Sequence, residues 1–467
     1  MQSRRSFIKN LALAIPAMSM ASVMLSSCSK RDELPRKTRK RIGIIGAGVS
    51  GLHAAMLLHE NPNFDIEILE AGDRIGGRIH SMDNAFGMGS VELGASEIYG
   101  TNNAWFGIVN RSNAALVAAQ GASTYVIGDN IYSQSQIETD SDFIQMDKKL
   151  TELKQFQSGS DMSIEQFMTN SAVPERVKCI FEGKTEQFIG TSVDRASAVY
   201  NRPEGIEKMS EEKFRSGSKS FSNILLDNYA PVLPYVMNNT AVQSIDYTGN
   251  KVKVTDHLQV ERVYDQLIIT VPLSILKLSS SQPYGISFKP ELPSSKREAM
   301  EKLGMDAGVR ILLKVNKKFW SNGSSTIYTD GTIKRFEIVK SDDSKSQYLL
   351  SANVHGANAE ATLNNKSEAE IIRMIKDEWK VSMSSEVANS ITESKVIFWG
   401  KEAHIQGSFS YHKVGGSTES RAELARPVEN RLYFAGEACN TGNNSGTVHG
   451  AIDTAETAVK AILKQLA

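Results

Sequence analysis

The chain has almost no cysteine, no net charge, and no apolar run long enough to cross a bilayer. Cys28, Cys179 and Cys439 are its three cysteines among 467 residues. They are too few and too scattered for a disulfide framework or a paired-cysteine metal site, so no structural metal is expected. Lysine plus arginine number 53, as do aspartate plus glutamate. Without a net field nothing draws the chain to a polyanion, which argues against nucleic acid as a partner. What remains is ordinary: 40% hydrophobic and 23% charged residues, the composition of a globular protein with a sizeable core. The length accommodates two domains.

Near the N-terminus, Ser3-Arg4-Arg5-Ser6-Phe7-Ile8-Lys9 precedes an apolar stretch from Leu11 to Leu25 that closes on Leu25-Ser26-Ser27-Cys28. The stretch falls short of the roughly 20 residues a spanning helix needs, and Pro16 and several serines dilute it, so a transmembrane anchor is the weaker reading. The segment resembles a twin-arginine signal peptide ending in a bacterial lipobox. That resemblance implies removal of residues 1–27 and acylation of Cys28. It implies export of an already folded protein, lipid-anchored at a bacterial membrane and facing the periplasm or the surface. Residues 28–40, with Lys30, Arg31, Asp32, Glu33, Arg36, Lys37, Arg39 and Lys40 and almost nothing apolar, read as a flexible tether. A route for folded cargo makes a cofactor expected.

The short β-branched run Arg41-Ile42-Gly43-Ile44-Ile45 meets Gly46-Ala47-Gly48-Val49-Ser50-Gly51, after which Leu52, Ala55, Met56 and His59 recur at helical spacing. This is a strand, a glycine turn and a helix. Gly46 permits the tight turn, Gly48 lets backbone approach a pyrophosphate, and Gly51 lets helix and strand pack closely. With Ser50 in the first turn, the helix N-terminus offers free N–H groups and partial positive charge to phosphates. A second strand, Asp65-Ile66-Glu67-Ile68-Leu69, delivers Glu70 at the distance of about 20 residues expected of the acid that binds ribose hydroxyls. His53 and His59 read as packing or surface residues. The unit alone does not separate NAD from FAD.

The next residues, Glu70-Ala71-Gly72-Asp73-Arg74-Ile75-Gly76-Gly77-Arg78, resemble the flavin amine oxidases, as does Val91-Glu92-Leu93-Gly94-Ala95-Ser96. The densest likeness is C-terminal, in Arg431-Leu432-Tyr433-Phe434-Ala435-Gly436-Glu437-Ala438 and Gly446-Thr447-Val448-His449-Gly450-Ala451. The resemblance spans residues 41–467 and implies an FAD-dependent oxidoreductase. The implied fold is α/β: a Rossmann-like FAD-binding domain from residues 41–100, 234–280 and 426–467, interleaved with a mixed α+β substrate domain from 101–233 and 281–425.

It also implies site residues. Ala71, Arg78, Gly94, Ala95, Val242, Gly436, Glu437, His449 and Ala451 would join the glycine turn and Glu70 in holding FAD, with Arg78 set against the pyrophosphate and Val242 offering backbone to the adenine. Gly72 departs from the arginine common there. The implied reaction is hydride transfer from an amine carbon to flavin N5, giving an imine and then an aldehyde or ketone, with oxygen or another acceptor reoxidising the flavin. The candidate catalytic residues are Arg310, Phe409 and Thr447.

Arg310 stands where many members carry a lysine that holds a water at N5, and two readings remain open for it: that role, or a structural ion pair. It also offers the one cation to clamp a substrate carboxylate, since no arginine lies near Gly94–Gly100. Phe409 takes one wall of the family's aromatic cage, while Thr447 stands at the other wall and is not aromatic. Ser408 stands where some relatives attach flavin through cysteine, so non-covalent FAD is expected. His449 replaces a usual acid, and either bonds a flavin edge or caps the helix. His404 and His412 read as surface or pocket-rim residues. Two other readings are carried: carbon–carbon dehydrogenation, as in carotenoid desaturases and protoporphyrinogen oxidases, and a flavin-binding protein without catalysis.

Overall fold

The computed structural model describes residues 39–201 and 212–466. The expected signal, Cys28 and most of the tether lie outside the described residues. Among those described, no helix is long and apolar enough to cross a membrane.

Strand Lys40–Ile45 forms where the sequence places β-branched residues at alternate positions. It is the centre of a five-stranded parallel sheet, ordered Val236–Met237, Phe64–Leu69, Lys40–Ile45, Gln266–Ile269 and Leu432–Phe434. Both faces are covered, which is why the central residues of these strands are largely apolar, with charged Lys40, Arg41, Asp65 and Glu67 toward the strand starts. Ile42, Ile44, Ile66, Ile68 and Ile268 pack on one side with helices Val49–Leu58 and Val448–Leu466. Ile45, Leu69, Leu267 and Ile269 face the other side, over a four-stranded sheet ordered Glu261–Tyr264, Val252–Asp256, Val242–Asp246 and Ser287–Lys289.

A seven-stranded mixed sheet follows the order Ile391–Phe398, Gly308–Val315, Gln347–His355, Arg335–Asp342, Ser324–Thr329, Ala122–Ile127 and Asn130–Ser133. Helix Glu368–Ser382 lays Ile371, Ile375 and Trp379 on it, against Ile311, Leu313, Phe336 and Leu350. A helical layer from Ser141–Lys154, Ile164–Asn170 and Lys178–Ile189 packs on Tyr125, Ile127 and Tyr328.

All five parallel strands come from the segments expected to bind the nucleotide, apart from Lys40 one residue before them, and all seven mixed strands come from those expected for the substrate domain. The cores divide the chain less simply. Helices Ala104–Arg111 and Phe221–Asn228 belong with the nucleotide side, where Trp105 meets Phe221 edge-on at 5.3 Å and both join the core of helix Val49–Leu58. Strand Ser287–Lys289 extends the four-stranded sheet, and Met300 of helix Ser294–Lys302 packs into the core beneath it. Contiguity in sequence had assigned these pieces to the substrate domain; their apolar faces are buried elsewhere.

Candidate active site

Strand Lys40–Ile45 ends at Gly46, whose φ of +102° lies where only glycine is at ease. The chain turns there into helix Val49–Leu58, with Gly48 as N-cap. Gly51 serves packing: a Cβ on it would sit 2.0 Å from the Gly46 carbonyl oxygen. At Gly48 a Cβ would meet no atom within 4 Å, so the space that its hydrogen leaves belongs to the cavity. Ser50 borders the same cavity, and its buried hydroxyl has no hydrogen-bond partner. An open glycine, an orphaned hydroxyl and the unpaired N–H groups of a helix start together fit a phosphate anion.

Glu70, at the end of the second strand, ties this turn together. One of its oxygens accepts the Ala47 N–H at 2.7 Å and the other the Gly72 N–H at 2.9 Å. Gly76 and Gly77, both at positive φ, let the following loop lie against Gly48. Arg78 then crosses to the C-terminal motif, where its Nη1 donates to Glu437 Oε1 at 2.8 Å and to the Ser408 carbonyl at 2.9 Å. Arg78 thus borders the cavity with its Nη1 paired to Glu437.

Glu437 brackets three segments, also accepting the Ser410 hydroxyl at 2.6 Å and the Gly446 N–H at 3.0 Å. Burial pushes this carboxyl up, but the Arg78 charge, the Ser410 hydroxyl and the Arg421 charge outweigh it and hold it below the usual carboxylate value.

A single cavity of about 1320 Å³ joins these elements. It is bordered by Gly46, Gly48, Ser50, Glu70, Ala71 and Arg78, by Gly94, Ala95 and Val242, and by Gly436, Glu437, His449 and Ala451. Phe409 and Thr447 border it too. Phe409 is held between two glycines, since a Cβ at Gly190 or at Gly446 would come within 2.6 Å of its ring. The Thr447 hydroxyl is engaged at the start of helix Val448–Leu466, donating to the Asn444 carbonyl at 2.6 Å and accepting the Gly450 N–H at 3.0 Å. Its hydroxyl caps a helix, which no aromatic ring could do in its place.

Gly51 and Arg310 are not among the bordering residues. Arg310 is 2% exposed and lies one layer behind, its Nη1 donating to the Gly94 carbonyl at 3.1 Å, Asn353 Oδ1 at 3.2 Å and Ser96 Oγ at 3.4 Å. Arg310 thus contacts the cavity lining and not the cavity itself: Nη1 is engaged by Gly94, Ser96 and Asn353, while Nε and Nη2 are buried without a hydrogen-bond partner. The reason is cross-strand geometry, for Arg310 pairs with Asn353 in the mixed sheet and its side chain meets the polar groups there. Behind it Arg215 bridges Glu97 and Glu337 at 2.8 Å each, and Arg335 also pairs with Glu337.

Several bordering residues escaped the sequence reading. Tyr99 and Phe188 stand edge-on at 6.2 Å, and Gln187, Asn353 and His355 add amide and imidazole groups. Asn353 and His355 carried a legible signal, polar residues that with Ser351 alternate with apolar ones at the end of strand Gln347–His355; Gln187 and Phe188, at the end of a helix, carried none. His404 is a rim residue, edge-on to Tyr284 at 4.9 Å. His412 is not: it is fully buried beside Tyr200.

Residues 236–463 match the family of flavin containing amine oxidoreductases, and residues 44–112 match the NAD(P)-binding Rossmann-like domain. The chain is similar to polyamine oxidase 4 of Oryza sativa subsp. japonica, 28% identical over 90% of this chain and 89% of that protein. It is 25% identical to polyamine oxidase 2 of Arabidopsis thaliana, over 92% of this chain and 89% of that protein. Among solved structures it shares the fold of cyclohexylamine oxidase from Brevibacterium oxydans IH-35A, with a TM-score of 0.77 and 18% identity over 92% of this chain and 99% of that one. It shares it also with a wild-type putrescine oxidase bound to putrescine, with a TM-score of 0.75 and 17% identity over 91% of this chain and 99% of that one. With the glycine turn, the Glu70 anchor and the two helix starts meeting at one cavity, these likenesses lead to one conclusion: the chain is an FAD-dependent oxidoreductase similar to the flavin-containing amine oxidases.

Proposed function

We propose that this protein oxidises the C–N bond of a small amine. The observation that carries the reading is that one cavity is bordered both by a phosphate cradle, at Gly48 and Ser50, and by an aromatic lining of Phe409, Phe188 and Tyr99. Bound FAD would accept a hydride from the carbon next to nitrogen, leaving an imine that water hydrolyses to an aldehyde or ketone, while oxygen or another acceptor takes the electrons. The rest of the task falls to this chain. The starts of helices Val49–Leu58 and Val448–Leu466 direct positive dipole ends at the cofactor, and Glu70 fixes the turn that cradles it. The aromatic lining excludes water and holds a neutral amine in orientation, which supplies much of the acceleration. Ser408, its hydroxyl donating to the Gly190 carbonyl at 3.1 Å, supports non-covalent binding. The names of relatives and neighbours, polyamine, putrescine and cyclohexylamine oxidases, support an amine substrate. Product analysis tests this: an oxidised amine must yield aldehyde or ketone together with peroxide when oxygen is the acceptor, and hydrogen removal that leaves the C–N bond single would refute it.

The export reading is also ours: the chain travels folded and is held at a bacterial membrane through lipid on Cys28. Arg4-Arg5, the short apolar run and Leu25-Ser26-Ser27-Cys28 support it. Mass spectrometry of the protein from membranes should show a chain starting at acylated Cys28, and Cys28→Ser should leave it unacylated. An unprocessed, soluble wild-type chain would refute the reading.

A further inference from the structure

His355 ends strand Gln347–His355 and borders the cavity while 8% exposed. Its ring stands edge-on to Phe409, the centroids 5.5 Å apart. Its cross-strand neighbour is Gly308, where a Cβ would crowd the Ser408 Cβ at 2.8 Å and lie in ordinary contact with Nδ1 at 3.5 Å. Nδ1 is buried and has no hydrogen-bond partner. A polar atom in that state costs stability; it lies on the Gly308 side of the ring, and Nε2, which is not shut off in this way, is the nitrogen left for a group in the cavity.

The groups around it decide what that ligand is. The charge nearest in effect is the Arg310 cation, and Asp306 is not among the residues bordering the cavity, its Oδ2 accepting from Arg195 at 3.0 Å and from the Tyr411 hydroxyl at 2.8 Å. Burial and the Arg310 charge pull the imidazole down to about 4, so it is neutral across the working range and presents one donor and one acceptor. Glu97 also borders the cavity, but Arg215 holds one of its oxygens at 2.8 Å and the Tyr99 hydroxyl donates to the other at 3.3 Å. A second ammonium group beside His355 would lose its hydration, find no free carboxylate and face Arg310. An alkyl chain would leave the imidazole unsatisfied. A hydroxyl, which both donates and accepts, fits.

We infer that His355 is a specificity-determining residue that hydrogen-bonds a neutral polar group, a hydroxyl above all, carried by the substrate beyond its reacting amine. The inference rests on the amine-oxidation reading and selects within it. Three five-carbon probes test it with the holoenzyme: pentylamine, its ω-hydroxy derivative and its ω-amino derivative. The wild type should show kcat/KM for the hydroxyamine about tenfold above both others, as one added neutral hydrogen bond allows. His355→Ala should erase that advantage, lowering kcat/KM for the hydroxyamine more than for pentylamine, and His355→Asn, which keeps a neutral donor and acceptor, should restore part of it. Higher kcat/KM for the diamine, or an equal loss on all three probes in His355→Ala, would overturn the inference and leave amine oxidation standing. Failure of all three to reduce the flavin would overturn both.

Discussion

Gly48, Glu437 and Arg310 each do different work at the cavity, and substitutions distinguish them. The backbone at Gly48 has φ −70° and ψ 174°, a conformation any residue adopts, and a Cβ there meets only open space. Gly48→Val should therefore fold with nearly wild-type melting temperature yet purify without a flavin band; a yellow variant would refute the phosphate assignment. Glu437 is a carboxylate whose folded pKa is depressed. Its stabilisation is fully present above the ordinary carboxylate range and is lost as pH falls through that range toward the folded value. Glu437→Gln should flatten that acid limb of the melting curve and cost about 3 kcal/mol near neutral pH by leaving Arg78 unpaired; an unchanged acid limb would assign the limb to other carboxylates. Arg310 acts through Gly94 and Asn353. Arg310→Lys should lower the melting temperature, by loss of one or two charged hydrogen bonds of about 2 kcal/mol each, more than it alters flavin reoxidation. A large change in reoxidation with full stability would return Arg310 to the reacting centre.

The elements that reach the cavity were readable where local sequence dictates them. Short β-branched runs mark strands Lys40–Ile45 and Phe64–Leu69, and the helical spacing of Leu52, Ala55 and Met56 marks helix Val49–Leu58. Helices Ala104–Arg111 and Phe221–Asn228 were not readable as nucleotide-side elements, because which core a short amphipathic helix joins is settled by tertiary packing. The same holds for Lys296, which looks like a surface lysine in sequence. It is 1% exposed, and its ammonium donates to the carbonyls of Glu423, Leu424 and Arg426 at 2.7–2.8 Å, closing the end of helix Thr418–Ala425. It also lies 4.2 Å from the centre of the Phe434 ring, two residues before Gly436. Lys296→Met should lose about 3 kcal/mol of stability by orphaning these carbonyls, while folded protein keeps its flavin spectrum. A variant as stable as wild type in denaturant would contradict this role.

At the level of the whole molecule, two motif-dense ends enclose a middle that the sequence leaves almost silent, and the cavity draws on all of it. The cofactor cradle was legible because glycine turns and a terminal acid are imposed by close backbone approach to phosphates, a local demand. The substrate side was not, because Tyr99, the pair Gln187 and Phe188, and the pair Asn353 and His355 come from three elements far apart in sequence and meet only when the mixed sheet and its helical layer are assembled. Arg310 shows the limit of motif spacing: its position along the strand was matched, but its side chain is captured by Gly94, Ser96 and Asn353. The central claim is that an amine reduces flavin bound in this cavity. The most direct test is the visible spectrum of the purified protein, held anaerobic while amines are added and then exposed to oxygen. The account predicts a flavin band that bleaches with an amine and returns with oxygen; a band that no amine bleaches, or protein that holds no flavin, would contradict it.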